Sequence, residues 1–299
     1  MKFEGIYTPV ITPFGEDASI DFQAWSEVLE AQIAGGVHGI IVGGSTGEFY
    51  ALTQAERLEQ FRFANEQIAG RVPWIAGVND LRAEMTFQYA EAARDAGADA
   101  LLVAAPPYSL PSEEELAEHC LKLRRVGELP IILYNYPGRT GVGMGREFLE
   151  RISCDPGICA IKESSGDLSR IHLLAREFPQ LQLSAGAEDQ VLEFFVWGAK
   201  SWVSASANFF PKLCVGFYET CVLKKDFEKG RQIMSALLPL MSILEQGGKF
   251  LQCVKYACKL QGISGGPVRP PLLPMGDGLR REMDEVVVSA RDALESILD

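Results

Sequence analysis

Hydrophobic and polar positions alternate in two regular patterns from the start of the chain to about residue 223. Short apolar runs bounded by glycine or proline predict buried strands, and longer segments with apolar residues every three or four positions predict amphipathic helices. The predicted strands cover residues 6–12, 39–43, 73–78, 98–105, 130–134, the run that starts at 158, 181–185 and 201–207.

A helical pattern follows each of these eight runs. Thr53-Gln-Ala-Glu56 has the form of a capping box, and the acidic residues after Ser112 suit the positive end of a helix dipole. The predicted helices cover about 21–34, 82–96, 146–152, 168–178, 189–197 and 211–223, with two more beginning near 53 and 112. Eight successive strand–helix units with right-handed crossovers close into a barrel, so the predicted fold class is α/β, a (β/α)8 TIM barrel.

The chain after residue 226 shows helical patterns only. We predict three further helices, the middle one at about 250–260, and an ordered linker over 262–271 before the last. This pattern suggests a catalytic barrel domain of residues 1–223 followed by a C-terminal helical domain of residues 224–299.

Composition narrows the possible classes of function. The 299 residues are 47% hydrophobic and 23% charged, with a net charge of -12, which is typical of a packed globular protein. No basic cluster indicates a nucleic-acid surface, and no apolar stretch indicates a membrane span or a signal peptide. The seven cysteines and three histidines lack metal-ligand spacing. We expect a cytoplasmic protein without a cofactor and without nucleic-acid or membrane partners.

Lys162 is the first candidate for chemistry, since it lies near the end of an apolar run that predicts a central strand. Lysine is almost never fully buried without a reason. Desolvation lowers the pKa of an ammonium group, and the neutral amine is a nucleophile towards carbonyl groups. Lys162 is therefore a candidate Schiff-base lysine. The alternative is a lysine at a strand end that forms an ion pair with Glu163 or Asp167, and the run alone leaves both readings open.

The glycine-rich loop from Gly43 to Glu48 follows the second predicted strand. It matches neither nucleotide-binding glycine pattern. Its closely spaced N–H groups and the hydroxyls of Ser45 and Thr46 would suit one carboxylate of a small oxo acid. The alternative is a structural turn with capping hydroxyls.

Three further side chains follow predicted strands at the edge where barrel enzymes place their active sites. Tyr134 could move protons beside a Schiff-base lysine, or it could be a core tyrosine with a hydrogen-bond partner. Arg139 could hold a carboxylate through two parallel hydrogen bonds, or it could form a surface ion pair. Tyr108 lies in a Pro-Pro-Tyr sequence that is also ordinary loop composition.

Three motifs together resemble the dihydrodipicolinate synthase / N-acetylneuraminate lyase family. They are Gly44-Ser-Thr-Gly-Glu48, Tyr134-Asn-Tyr-Pro-Gly-Arg-Thr140 and Ile161-Lys-Glu-Ser-Ser-Gly166, which fall in order on the second, fifth and sixth predicted strands. The resemblance extends over nearly the whole chain. It implies a (β/α)8 barrel with a C-terminal helical domain, assembled as a homotetramer of tight dimers.

The resemblance also implies class I aldolase chemistry and a role for each site residue. Lys162 would form an imine with pyruvate or a similar 2-oxo acid, and Tyr134 would donate and accept protons. Thr46 would link Tyr134 to Tyr108, which would reach the site of a neighbouring subunit. The implied substrate-binding residues are Ser45 and Thr46 at the carboxylate, together with Gly47, Arg139, Gly186 and Val203.

Within the family, different features of the sequence favour two different classes of substrate. Arg139 favours the synthase, which condenses pyruvate with aspartate semialdehyde, because the matching arginine there binds the semialdehyde's carboxylate. Ser45 and the tail over 265–271 instead resemble catabolic aldolases, dehydratases or deaminases of longer 2-oxo acids. Pro107, Gln54 and Arg57 stand where lysine-inhibited synthases carry other residues, so we expect no feedback by lysine. A non-catalytic oxo-acid binder is the alternative from another class.

Overall fold

The computed structural model describes residues 2–298. Within this part, eight parallel strands form a closed barrel in which each strand pairs with the next and β8 pairs with β1. The predicted (β/α)8 fold is confirmed. The strands are β1 Gly5–Pro9, β2 Gly39–Val42, β3 Trp74–Gly77, β4 Ala100–Ala104, β5 Ile131–Asn135, β6 Ile158–Glu163, β7 Gln182–Ala185 and β8 Ser201–Val203.

Eight of the nine barrel helices of residues 2–298 lie close to the predicted ones, whereas the short α5 at Pro137–Thr140 was not predicted and the predicted helix over 211–223 ends at Tyr218, before a π-helical turn. The capping boxes at Thr53 and Ser112 are both formed, so the first turns of two helices satisfy their free N–H groups. The barrel helices are α1 Phe22–Ala34, α2 Gln54–Ile68, α3 Ala83–Asp95, α4 Glu113–Gly127, α5 Pro137–Thr140, α6 Arg146–Ile152, α7 Ser169–Glu177, α8 Val191–Val196 and α9 Pro211–Tyr218.

The strands are buried on both faces, as a parallel barrel requires. One face packs under the helices in the main core, and the other fills the barrel interior with a smaller cluster that includes Tyr7, Ile41, Ile132 and Tyr134. The register of the strands then determines which candidate site residues lie next to each other. Lys162 on β6 lies beside Tyr134 on β5 and Ser184 on β7, so these three residues are neighbours across adjacent strands.

Two strands are shorter than the apolar runs predict. β1 ends at Pro9 and β8 at Val203, and Ser206–Asn208 forms a short 3-10 turn. At the end of β1, the Asn208 side chain accepts from the Ile11 N–H at 3.0 Å and donates to the Pro9 carbonyl at 3.1 Å. After β8, the same side chain donates to the Ala205 carbonyl at 2.9 Å. Side-chain hydrogen bonds of this kind replace the strand ladder with a turn.

The C-terminal helices are α10 Phe227–Gln246, α11 Phe250–Leu260 and α12 Asp277–Leu298, which confirms the three predicted helices. α10 packs against α8, α11 and α12, and its last turn reaches the loop after β7. The division of the chain into two domains at residue 223 stays a prediction. In residues 2–298, no helix is both long and apolar enough to cross a membrane.

Candidate active site

A pocket at the carboxyl ends of the strands brings together most of the predicted site residues. We call it the inner pocket, and it is lined by Ser45, Thr46, Tyr134, Arg139, Lys162, Gly186 and Val203, together with residues that the sequence did not single out. Gly47 and Tyr108 do not line it. Side chains from six different strand ends therefore converge on one small space, as in barrel enzymes generally.

Lys162 is buried in this pocket, with 7% of its surface exposed. Its Nζ lies 4.0 Å from the centroid of the Tyr134 ring. Within residues 2–298 this ammonium group forms no hydrogen bond or salt bridge. Desolvation by burial lowers the pKa of Lys162 to about 8, although the carboxylates of Glu188 and Glu245 oppose the shift. A substantial fraction of this amine is consequently neutral near physiological pH.

The alternative ion pairs are not formed. Glu163 follows Lys162 on the strand and points to the other face, where it accepts from Asn135 Nδ2 at 2.8 Å and pairs with Arg170 at 3.2 Å. Asp167 accepts from the Ser169 N–H at 2.9 Å, outside the pocket. The strand thus keeps both Glu163 and Asp167 apart from Lys162, and the amine of Lys162 is left unpaired by them.

Gly186 leaves the space that Lys162 occupies. A Cβ atom at this position would lie 2.1 Å from Ser164 Oγ and 2.8 Å from Lys162 Cγ. Any larger residue would displace the lysine side chain, because real carbon atoms do not approach so closely. Glycine is therefore required here for the placement of the nucleophile.

Tyr134 is the second buried titratable group at this level of the barrel. Burial raises its pKa to about 12, and nearby Arg139 and the hydroxyls of Ser45 and Ser164 lower it in part. The phenol is therefore protonated at neutral pH. Its position beside Lys162 allows it to donate a proton to a group bound at the lysine.

The glycine-rich loop is held by the C-terminal part of the chain. Glu48, which ends the Ser45–Gly47 turn in the left-handed region, pairs with Lys255 of α11 at 2.6 Å and accepts from the Arg269 N–H at 3.0 Å. The Gly47 carbonyl accepts from Thr12 Oγ1 at 2.8 Å. Both carboxylate oxygens of Glu48 are used in this way, so the loop that carries Ser45 has fixed supports on two sides.

A wider cavity adjoins the inner pocket. This outer chamber has a volume of about 300 Å³ and shares Ser45, Tyr136, Arg139, Glu245 and Phe250 with the inner pocket. The Arg139 guanidinium lies 5.2 Å from the Tyr136 ring and 5.8 Å from the Phe250 ring. No carboxylate among the described residues forms a salt bridge with it. The surface ion pair considered above for Arg139 is absent.

Two carboxylates on the pocket wall were missed by the sequence reading. Glu188 is 2% exposed, accepts from the Ala205 N–H at 2.6 Å and from Ser206 Oγ at 2.7 Å, and burial raises its pKa to about 7. Glu245 comes from the last turn of α10, and burial raises its pKa as well. A signal for Glu188 existed, because it follows the end of β7 by three residues. Glu245 offered none, since its place depends on how α10 packs.

Tyr108 lies away from the pocket, with 93% of its surface exposed and φ at 74°. No hydrogen bond within residues 2–298 joins Thr46 to Tyr134 or to Tyr108. The link through Thr46 to a neighbouring subunit stays a prediction about the assembled protein. Nor does the described chain contain a group of three or more His, Cys, Asp or Glu residues that could hold a metal ion.

Known proteins match this chain over almost its whole length. The model of the dihydrodipicolinate synthetase family matches residues 2–290. The 4-hydroxy-tetrahydrodipicolinate synthases of Sorangium cellulosum and Methanoculleus marisnigri are each 34% identical, covering 96% of this chain and 96% and 99% of theirs. Among solved structures, the corresponding synthase of Methylacidiphilum fumariolicum aligns with a TM-score of 0.92 at 28% identity, covering 99% of this chain and 98% of that one. The Acinetobacter baumannii dihydrodipicolinate synthase complexed with pyruvate aligns with a TM-score of 0.90 at 28% identity, covering 97% and 99%.

Proposed function

The chain belongs to the dihydrodipicolinate synthetase family, whose members are class I lyases that act through a Schiff base, and we propose that it condenses pyruvate with aspartate semialdehyde. This is the 4-hydroxy-tetrahydrodipicolinate synthase reaction. The observation that carries the proposal is Lys162, a buried amine without an ion-pair partner beside the Tyr134 phenol.

In the proposed reaction, the neutral Nζ of Lys162 adds to C2 of pyruvate, and the carbonyl oxygen leaves as water to give an iminium ion. Tyr134 supplies a proton to the departing oxygen. The Tyr134 phenolate takes a proton from C3 and gives an enamine, because the positive nitrogen withdraws the electron pair. The enamine carbon attacks the aldehyde carbon, the aldehyde oxygen takes the proton back from Tyr134 as its double bond opens, and the iminium ion at C2 is restored. The neutral amino group of the semialdehyde then attacks C2 and passes one proton to Nζ, so Lys162 leaves as a neutral amine and the ring closes as a cyclic iminium ion. That ion loses its last proton to the Tyr134 phenolate.

Two groups are suited to the substrate carboxylates. Ser45 and Thr46, with the backbone at Gly47, would hold the carboxylate of pyruvate at the inner end. Arg139 would hold the carboxylate of the semialdehyde in the outer chamber, where a guanidinium can make two parallel hydrogen bonds. Gly186 and the backbone of Val203 would line the inner pocket.

The second candidate is cleavage, dehydration or deamination of a longer hydroxy-2-oxo acid by the same imine chemistry. Ser45 and the tail over 265–271 favour it, as does Glu245, since a carboxylate with a free oxygen suits a substrate with hydroxyl groups.

We also propose a cytoplasmic homotetramer built from tight dimers, in which Tyr108 of one copy completes the site of another. The position of Tyr108 supports this role, because its side chain is 93% exposed and does not line the pocket of its own chain. Sedimentation of the full chain tests the assembly, and a monomer with full activity would contradict it.

Borohydride reduction in the presence of pyruvate, followed by intact mass and peptide mapping, tests the proposal. A stable pyruvate adduct on Lys162, together with consumption of aspartate semialdehyde, is the expected result. An adduct formed only with longer 2-oxo acids would favour the second candidate. Binding without any adduct would favour the non-catalytic binder.

A further inference from the structure

The outer chamber contains two opposite charges that do not neutralise each other. Arg139 and Glu245 both line it and interact electrostatically, yet no salt bridge joins them within residues 2–298. Opposite charges that face one cavity without pairing remain available to a ligand. The chamber can therefore receive a group that carries both a negative and a positive or hydrogen-bond-donating part.

Glu188 and Glu245, the two acidic residues of the pocket, differ in whether a carboxylate oxygen is free to bind a ligand. Glu188 uses both carboxylate oxygens on Ala205 and Ser206. Glu245 accepts at Oε1 from the Glu188 N–H at 3.2 Å, which fixes its position, whereas Oε2 has no hydrogen-bond partner among residues 2–298. Glu188 is thus part of the wall, and Glu245 keeps one acceptor free beside the chamber.

We propose that Glu245 is a specificity-determining residue that binds an amino or hydroxyl donor next to the substrate carboxylate held by Arg139. This inference rests on the proposed function and deepens it. The substrate class is an aldehyde whose far end is an α-amino or α-hydroxy acid. The guanidinium takes the carboxylate and the Glu245 carboxylate takes the neighbouring donor.

The selectivity follows from the cost of an unpaired carboxylate. A substrate that lacks the donor would cover Glu245 Oε2, remove its water and provide nothing in exchange. Sites built to bind a donor reject analogues without it for this reason. We expect a preference of about 10- to 100-fold, the range of one charge-assisted hydrogen bond.

Three aldehydes with one carbon skeleton test the inference. Aspartate semialdehyde carries the amine, 2-hydroxy-4-oxobutanoate carries a hydroxyl group instead, and succinate semialdehyde carries neither. A single turnover of the preformed pyruvate imine, quenched with borohydride and read as loss of the pyruvate adduct on Lys162, gives the second-order rate constant of each aldehyde and leaves out the amine-dependent release of Lys162. It is measured with the full-length wild type and with the Glu245→Ala and Glu245→Gln variants. Asp189→Asn is the matched control, because Asp189 is a neighbouring acid that does not line the chamber.

The inference expects the wild type to prefer the amine or hydroxyl substrate over succinate semialdehyde by about 10- to 100-fold. Glu245→Ala should bring this ratio close to one, and Asp189→Asn should leave it unchanged. Glu245→Gln identifies the donor, since an amide still accepts from a hydroxyl group but no longer attracts an ammonium group. An unchanged ratio in Glu245→Ala would overturn the inference.

Failure of the proposed function gives a different result. If the wild type forms the pyruvate imine and consumes none of the three aldehydes, the condensation is wrong. Glu245 is then judged by borohydride trapping of 4-hydroxy-2-oxoglutarate against 2-oxoglutarate, which differ by one hydroxyl group. A preference for the hydroxylated acid that Glu245→Ala abolishes supports the inference. The same preference in both proteins, or none in the wild type, overturns it.

Discussion

Two buried lysines of this chain have opposite environments. Lys255 is 4% exposed, donates to the Thr12 carbonyl at 2.8 Å and the Pro267 carbonyl at 2.7 Å, and forms a salt bridge with Glu48 at 2.6 Å. Lys162 is 7% exposed, lies beside the face of Tyr134 and forms no hydrogen bond or salt bridge within residues 2–298. Burial lowers the pKa of both amines. What separates them is the set of partners, and not the depth of burial.

The difference shows what makes a buried lysine reactive. The three oxygen atoms around Lys255 replace the water that its ammonium group lost. They favour the charged form of the amine, which cannot attack a carbonyl group. Lys162 has no such replacement among residues 2–298, and the carboxylates that favour its charged form are Glu188, which is bonded elsewhere, and Glu245. Lys255 therefore supports the substrate loop, and Lys162 is available as a nucleophile.

The largest expected effect is the loss of the reactive amine. Lys162→Ala should lower turnover by about 10,000-fold or more, since the other site groups cannot replace a covalent nucleophile. Borohydride trapping with pyruvate should give no adduct. Lys255→Arg is the control because it keeps a buried cation at the other site. Residual activity above a few per cent in Lys162→Ala would contradict the assignment.

Removal of the structural lysine should instead damage stability. Lys255→Met leaves the fully buried Glu48 carboxylate without its cation and should lower the free energy of unfolding by about 3–5 kcal/mol. Urea denaturation measures the change. The double variant Lys255→Met/Glu48→Gln should recover part of it, because it removes the uncompensated charge. A single variant as stable as the wild type would show that the pair is not required.

Arg139 should separate the two substrates. Arg139→Ala should raise the KM of the second substrate by about 10- to 100-fold, since it removes a charge-assisted contact in the outer chamber. Trapping of pyruvate on Lys162 should change little. An equal loss for both substrates would mean that Arg139 supports its loop instead of binding a carboxylate.

The smallest expected effect is on the pH dependence of imine formation at Lys162. Only the neutral amine attacks, so the rate of reductive trapping by cyanoborohydride should rise with pH and level off above the Lys162 pKa of about 8. Glu188→Gln removes an anion that favours the ammonium form, so the midpoint of this profile should move to lower pH. A midpoint that stays in place, or moves upward, would contradict the electrostatic account.

The comparison also explains what the sequence could predict. Lys162 was visible because a lysine in an apolar strand breaks the local pattern, and Ser45, Tyr134 and Arg139 were visible because they follow strands at one end of a recognisable barrel. Lys255 sits in a helix, where lysine is ordinary, and nothing local distinguishes it from an exposed residue. Its partner Glu48 lies some 200 residues away.

Two other features depended on contacts that no local pattern contains. Glu245 reaches the pocket through the packing of α10, and tertiary packing is not encoded in hydrophobic periodicity. The ends of β1 and β8 were placed too late because the Asn208 side chain bonds to the backbone of Pro9 and Ile11 at the end of β1 and to that of Ala205 after β8. The predicted partner role of Tyr108 needs a second copy of the chain.

The pairing of Glu48 with Lys255 also places a condition on protein synthesis. A ribosome that adds ~5–20 residues per second makes residue 255 roughly 10 to 40 s after residue 48. During that interval the nascent chain has its substrate loop but not its counter-ion, so Glu48 must stay in water. The nucleophile on β6 is made well before the loop that orients its substrate can close. We therefore expect nascent chains arrested at residue 223 to be cut by protease near Glu48, and chains extended past residue 270 to resist.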